Sequence, residues 1–336
     1  MDALAIAVPY VLFVWWFSTG TVLLLVGLSA RYDILLKVGA AALFAASLVG
    51  LAVSSHETSA AGAYCVFTCA ILLWGAIEIS LLAGWITGPR PQACPLASAP
   101  TDRVWYALQA IAYHEFALIA TAGLVFAVTA GSPNQLGWWT FAALLVLRQS
   151  AKINLFLGVR TLNDELLPAQ VGFLRSYFAR KPMNALFPVS VTFATAAAVC
   201  LAVAAVDAAS HFVALTYSLL AALVVLGALE HWFMVLPMPV VDLWRWSVRA
   251  SPKVEKPLPE PTAKPVLSVI SGGAATAKRS PPAKSAAQLA RQRLEDQFRQ
   301  AYRERQAAVG AAQIAPDIAA QKTTVEINRL TDGRAS

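Results

Sequence analysis

The sequence predicts an all-α fold: a polytopic membrane bundle of seven transmembrane helices, with the N-terminus periplasmic and the C-terminus cytoplasmic. Three observations carry this prediction. Hydrophobic residues fill 58 % of the 336 positions and charged residues 13 %, about half of the roughly 25 % charge typical of soluble domains. Seven segments are long and apolar enough to cross a hydrocarbon core of about 30 Å. The loops between them alternate between carrying Lys or Arg and carrying neither.

The spans fall at 5–29, 34–53, 62–86, 104–129, 138–158, 186–207 and 211–236. In span one, MDALAIAVPYVLFVWW has neither a basic leader nor a cleavage site, so it reads as a retained membrane helix. Span two is shorter and begins near Lys37, while spans three, four and seven are the clearest with the first. Span five carries Arg148 and Lys152 and scores poorly on hydropathy alone. Loop charge supports it. Arg31 and Lys37, then Arg90 and Arg103, then Arg160, Arg175, Arg180 and Lys181, and finally Arg245 and Arg249 mark one side. The alternate loops at 54–61, 130–137 and 208–210 have no Lys or Arg. The positive-inside rule places the basic loops in the cytoplasm, and omitting any span breaks the alternation. Trp85, Trp105, Trp138, Trp139, Trp232, Trp244 and Trp246 sit near span ends as interfacial anchors, whereas Trp15, Trp16 and Trp74 lie mid-span.

Residues 1–250 hold 12 Lys/Arg and 11 Asp/Glu; residues 251–336 hold 14 and 8, so most of the net +7 belongs to the tail. The chain is therefore a transmembrane domain over 1–250 and a Pro/Ala/Lys-rich linker over 251–284. A basic amphipathic helix follows over 285–312, with Leu289, Leu294, Phe298 and Tyr302 as its apolar stripe, and then a disordered tail over 313–336. Anionic lipid or a protein partner suits the basic helix. Nothing points to specific nucleic-acid recognition, and the phosphate-loop, dinucleotide, zinc-protease and haem-attachment motifs are absent. Cys65, Cys69, Cys94 and Cys200 form no Cys-x-x-Cys pair and read as small buried hydrophobes.

Charges inside apolar spans are the informative residues, because lipid exposure is costly and they turn to the bundle interior. The candidate cluster is Glu78, His114, Glu115, Arg148, Lys152, Asn154, Glu230 and His231, with Glu165 joining from the loop after span five or favouring a helix start there. On the predicted topology the cluster occupies the middle and cytoplasmic side of the bilayer. One use is interhelical ion pairing, with Arg148 and Lys152 on one helix face opposite Glu78, Glu115 or Glu230. A second is a di-iron or other transition-metal centre, for which Glu78, His114, Glu115, Glu230 and His231 are the candidate ligands. Against it, each Glu/His pair is adjacent, so its members point about 100° apart around the helix. Proton relay is a third use. A short interfacial helix is expected between Leu166 and Phe178. Asn134 in SPNQ reads as a turn residue and His211 as interfacial.

The segments YHEFALI (113–119), SPNQLGWWTF (132–141), RQSAKINLFLGVRTLNDELLP (148–168), YFARKPMNALFPVSVT (177–192) and ALEHWFMVLPMP (228–239) closely resemble the photosynthetic complex assembly protein 2 family. These are membrane proteins encoded near the reaction-centre H subunit gene of purple phototrophic bacteria. The resemblance covers most of residues 1–250 and stops before the tail. It implies a multi-pass factor of the bacterial cytoplasmic (inner or intracytoplasmic) membrane that assembles the reaction centre and core light-harvesting complex. Its implied partners are their subunits or other assembly factors, with bacteriochlorophyll held transiently. The alternative is a metal-dependent membrane oxidoreductase acting on a tetrapyrrole or isoprenoid intermediate through the buried Glu/His set.

Overall fold

The computed structural model describes residues 2–95, 98–162, 166–238 and 240–248. Glu165, the linker, the basic helix and the tail lie outside the described residues. The chain divides into two units, 1–258 and 259–336, and every described residue belongs to the first. Its long helical elements, among the described residues, are α1 (Asp2–Ser54, two helices joined at a kink), α2 (Ala60–Leu82), α3 (Pro100–Thr129), α4 (Leu136–Leu157), α5 (Leu186–Val206) and α6 (His211–Phe233). Two 3-10 turns, Ala169–Tyr177 and Val240–Trp244, and the single turn α7 (Arg245–Val248) complete it. Among the described residues the only β feature is an isolated bridge between Val159 and Arg180. Among the described residues seven stretches are long and apolar enough to cross a membrane: Ala3–Ser29, Arg31–Ser54, Ala60–Leu82, Pro100–Thr129, Leu136–Leu157, Leu186–Val206 and His211–Phe233.

The first two spans are two helices that meet within α1 at a kink, with no intervening loop. Tyr32 alone leaves helical geometry (φ −126°, ψ 36°), and there the chain doubles back. Near one end of α1 the Tyr10 hydroxyl lies 2.5 Å from Thr68 Oγ1 of α2. Near the other, Leu51 packs with Ala70 and Leu73 of that same helix. Both ends of α1 therefore flank the first half of α2.

Two helices occupy the centre. The most apolar windows of α2 and α6 are 56 % and 61 % buried, against 11–28 % for the other spans. Both are apolar all round, as enclosed helices are. Small residues bring the neighbours close: Ala63 and Ala70 of α2 and Ala222 of α6 lie within the buried cores, and Gly227 of α6 receives Leu147. Ala7, Val11, Phe67, Leu219 and Leu223 form one core, while Leu51, Trp74, Leu118 and Phe141 form another.

Short loops close one end of the bundle. Asn134, buried there, donates through Nδ2 to Glu57 O at 3.0 Å, and its backbone N–H donates to Ser55 O at 3.0 Å. The predicted turn residue therefore joins two loops. At the opposite end the long loops fold into a cap. Arg90 donates to the Tyr177 hydroxyl at 2.7 Å, and Arg103 donates to Phe156 O at 3.1 Å while stacking on that ring. The expected helix before Phe178 is a 3-10 turn, interrupted at Val171 (φ −115°, ψ 19°). Gly88 of the cap lies directly on α3: a Cβ there would sit 2.0 Å from Gln109 O. The Arg90 and His114 backbone N–H groups donate across this contact to Gln109 O and Thr87 O at 3.3 and 3.1 Å.

Two sequence expectations change. Cys65 and Cys200 are exposed on outer helix faces and Cys69 and Cys94 half-buried, because the small buried positions of these helices go to alanine. Trp244 and Trp246 fold back onto span one: Trp244 packs edge-on to Trp15, and Trp246 packs against Trp16 and Phe17. The bonds Trp244 Nε1 to Trp16 O (3.0 Å) and Trp16 Nε1 to Leu243 O (2.9 Å) fix that return.

Candidate functional site

The intramembrane polar residues separate into distinct stations along α4. Glu78 projects from the enclosed face of α2, where it is 6 % exposed. Arg148 of α4 approaches its Oε2 at 3.6 Å and His114 of α3 its Oε1 at 3.9 Å. Both distances exceed a direct hydrogen bond. Among the described residues, neither the Glu78 carboxylate oxygens nor the His114 ring nitrogens have a hydrogen-bond partner.

One residue further along α3, Glu115 points elsewhere. Lys152 Nζ donates to its Oε1 at 2.6 Å, and the Gln149 amide donates to its other oxygen. Adjacent helical positions differ by about 100°, so His114 and Glu115 serve separate pairs. Arg148 and Lys152, four apart, share the α4 face that receives both.

The Glu230–His231 pair divides in the same way. Glu230 Oε1 accepts from Trp15 Nε1 at 2.5 Å. With Glu78, Arg148 and Trp74 it lines a half-open cavity of about 210 Å³ among α1, α2, α4 and α6. His231 turns toward α4 and α5: its Nδ1 lies 2.7 Å from Gly227 O and its Nε2 lies 2.9 Å from Ser150 Oγ. Two lone pairs would repel at the first contact, so Nδ1 carries the hydrogen in the neutral ring and Nε2 accepts. Asn154 joins this layer, donating to Ser150 O at 2.9 Å and Ser190 Oγ at 3.1 Å. Asn184 extends it, donating to Asn154 O and Gly158 O while its Oδ1 accepts from the Leu186 and Phe187 N–H groups, which caps α5.

Among the described residues no three His, Cys, Asp or Glu side chains converge as metal ligands. Glu78 and His114 meet, whereas Glu115, Glu230 and His231 turn to lysine, tryptophan and serine. Glu165 lies outside the described residues. The charged members are three carboxylates and two cations in interhelical contact, joining α1, α2, α3, α4 and α6. Sequence reasoning passed over Trp15, Gln149, Ser150, Asn184 and Ser190. Ser150 and Asn154, one turn apart within an apolar span, are the signal that marks this layer. Asn184, directly before the apolar run of α5, is a helix-start signal.

These features define a class: a multi-pass helical membrane protein whose helices α2, α3 and α4 are joined by ion pairs within the bundle. Residues 1–255 match a family described as Protein of unknown function (DUF3623), and the chain belongs to that family. It is also 39 % identical over 259 residues to a Rhodobacter capsulatus protein, "Uncharacterized 30.4 kDa protein in puhA 5′ region". That match covers 76 % of this chain and 93 % of the relative. No solved structure matches.

Proposed function

We propose that this chain is an integral membrane factor for assembling the bacterial photosynthetic reaction centre and its core light-harvesting complex. One observation carries the proposal: the relative that aligns with 76 % of this chain is named for the 5′ region of puhA, the reaction-centre H gene. The bundle suits the role. Its intramembrane ionisable groups contact one another across helices, while apolar clefts of about 590 and 810 Å³ open among α1, α5 and α6 and among α4, α5 and α6. Such clefts can hold an apoprotein helix or bacteriochlorophyll within the bilayer. In this reading the protein sits in the cytoplasmic or intracytoplasmic membrane with its N-terminus periplasmic and the cap of long basic loops cytoplasmic, as the loop charges support.

A deletion strain tests the proposal. The expected phenotype is loss of the near-infrared bands of assembled complexes with mature free pigment retained and normal pigment chemistry. A precursor accumulating in place of mature pigment would instead establish the alternative, an oxidoreductase acting on a tetrapyrrole or isoprenoid intermediate. The unbonded Glu78–His114 contact is the observation that favours that second reading.

A further inference from the structure

The cleft between α4, α5 and α6 has the form of a binding site for a specific kind of lipid. Polar contacts fasten α5 to α4 at one end: the Ser150 and Ser190 hydroxyls lie 2.9 Å apart, and Asn154 and Asn184 add the bonds described above. Beyond that point α5 leans on α6 through Ala194, Ala198, Val224 and Ala228. Between α4 and α5 this leaves a cleft of about 810 Å³, within the roughly 300–1,000 Å³ range of small-molecule sites. Trp139, Val146, Phe193 and Leu201 are among its walls, and Ser150 and Ser190 form its floor.

Two properties of the lining select the occupant. Among the described residues no Asp, Glu, Lys, Arg or His lines the cleft, so a charged head on the floor would be uncompensated and costly. The floor also has no spare hydrogen. Ser190 gives its hydrogen to Leu186 O at 3.1 Å. The single Ser150 hydrogen is claimed by His231 Nε2 or Ser190 Oγ, both at 2.9 Å. Ser190 Oγ also accepts from Asn154 Nδ2 at 3.1 Å, so the free lone pairs at the floor belong chiefly to Ser150, and a head seated there must donate a hydrogen. The Thr216 hydroxyl, unpaired among the described residues, lines the cleft away from this floor.

We propose that this cleft binds a neutral long-chain alcohol, its hydroxyl donating to the Ser150 oxygen and its hydrocarbon chain lying along α4. Trp139 is eleven residues before Ser150, about 16 Å along the helix, the reach of an extended dodecyl chain. This inference stands apart from the assembly role.

Bromine quenching of tryptophan fluorescence tests it on the full-length protein purified in detergent. The probe 12-bromododecan-1-ol places hydroxyl and bromine at opposite ends. It is expected to quench a saturable component of the emission that is missing in Trp139→Phe. The same chain without the hydroxyl, 1-bromododecane, is expected to need about five- to tenfold more probe for half-saturation, the factor for one lost hydrogen bond. Ser150→Ala should abolish that difference, and 12-bromododecanoate at neutral pH should bind more weakly than the alcohol. Equal half-saturation by the alcohol and the bromoalkane on the wild-type protein would overturn the proposal. So would quenching of Trp139 by brominated phosphatidylcholine that dodecanol does not displace, since the cleft would then be occupied by a phospholipid chain. Quenching that persists unchanged in Trp139→Phe would also overturn it.

Discussion

Replacing Arg148 with methionine keeps a long, flexible side chain on α4 but leaves the Glu78 carboxylate without its nearest cation. Two unit charges 3.6 Å apart attract by about 4–5 kcal/mol at an effective dielectric of about 20. Glu78 is almost wholly enclosed, with 8 % of its side chain exposed, but Arg148 keeps 44 % and lines the cavity. The exposed side of the guanidinium weakens the attraction by screening, so the expected loss is about 2–4 kcal/mol, below the full cost of orphaning a buried charge. Unfolding by dodecyl sulfate in mixed micelles, followed by far-ultraviolet circular dichroism, measures it. Glu78→Gln removes the charge that Arg148 neutralises, so the double variant Arg148→Met/Glu78→Gln should be markedly more stable than the sum of the single losses predicts. If Arg148→Met costs under about 1 kcal/mol, the pair behaves as an exposed one. If the single losses simply add, the two residues are not coupled and the reasoning fails.

Three further changes probe other parts of the design. Gly88→Ala puts a methyl group 2.0 Å from the Gln109 carbonyl oxygen, a backbone atom of α3 that cannot swing aside. The cap should lift from α3 at a cost of about 2 kcal/mol or more, whereas Gly123→Ala, with nothing within 4 Å, should be neutral or stabilising; thermal melts in detergent compare them. Asn184→Ala loses the α5 cap and the bonds to Asn154 and Gly158, worth about 1–2 kcal/mol for the cap alone, and should speed amide exchange at Leu186 and Phe187. Trp15→Phe keeps an aromatic ring against Trp244 but removes the donor to Glu230. A loss of about 1.5–3 kcal/mol is expected for this hydrogen bond to a charged group, and the same change in a Glu230→Gln background should cost less.

The seven spans were legible because each must supply its own backbone hydrogen bonds in lipid, and that requirement writes itself locally as about twenty apolar residues. The same scarcity of polar groups exposed Glu78, Glu115, Arg148, Lys152 and Glu230 as interior residues. Helical geometry even anticipated that His114 would part from Glu115, and Glu230 from His231. What each member meets was not legible, because partners come from segments distant in sequence: Trp15 lies 215 residues from Glu230. The role of Gly88 was equally hidden, since nothing local says that another backbone will lie against it. By itself the sequence determined how many helices form and which residues cannot face lipid, both set by the free energy of transfer into hydrocarbon. Only the tertiary structure decided that α2 and α6 lie at the centre, that Ser150 and His231 meet, and that α5 stands away from α4. Those outcomes depend on how side chains of different helices pack, which no single segment specifies.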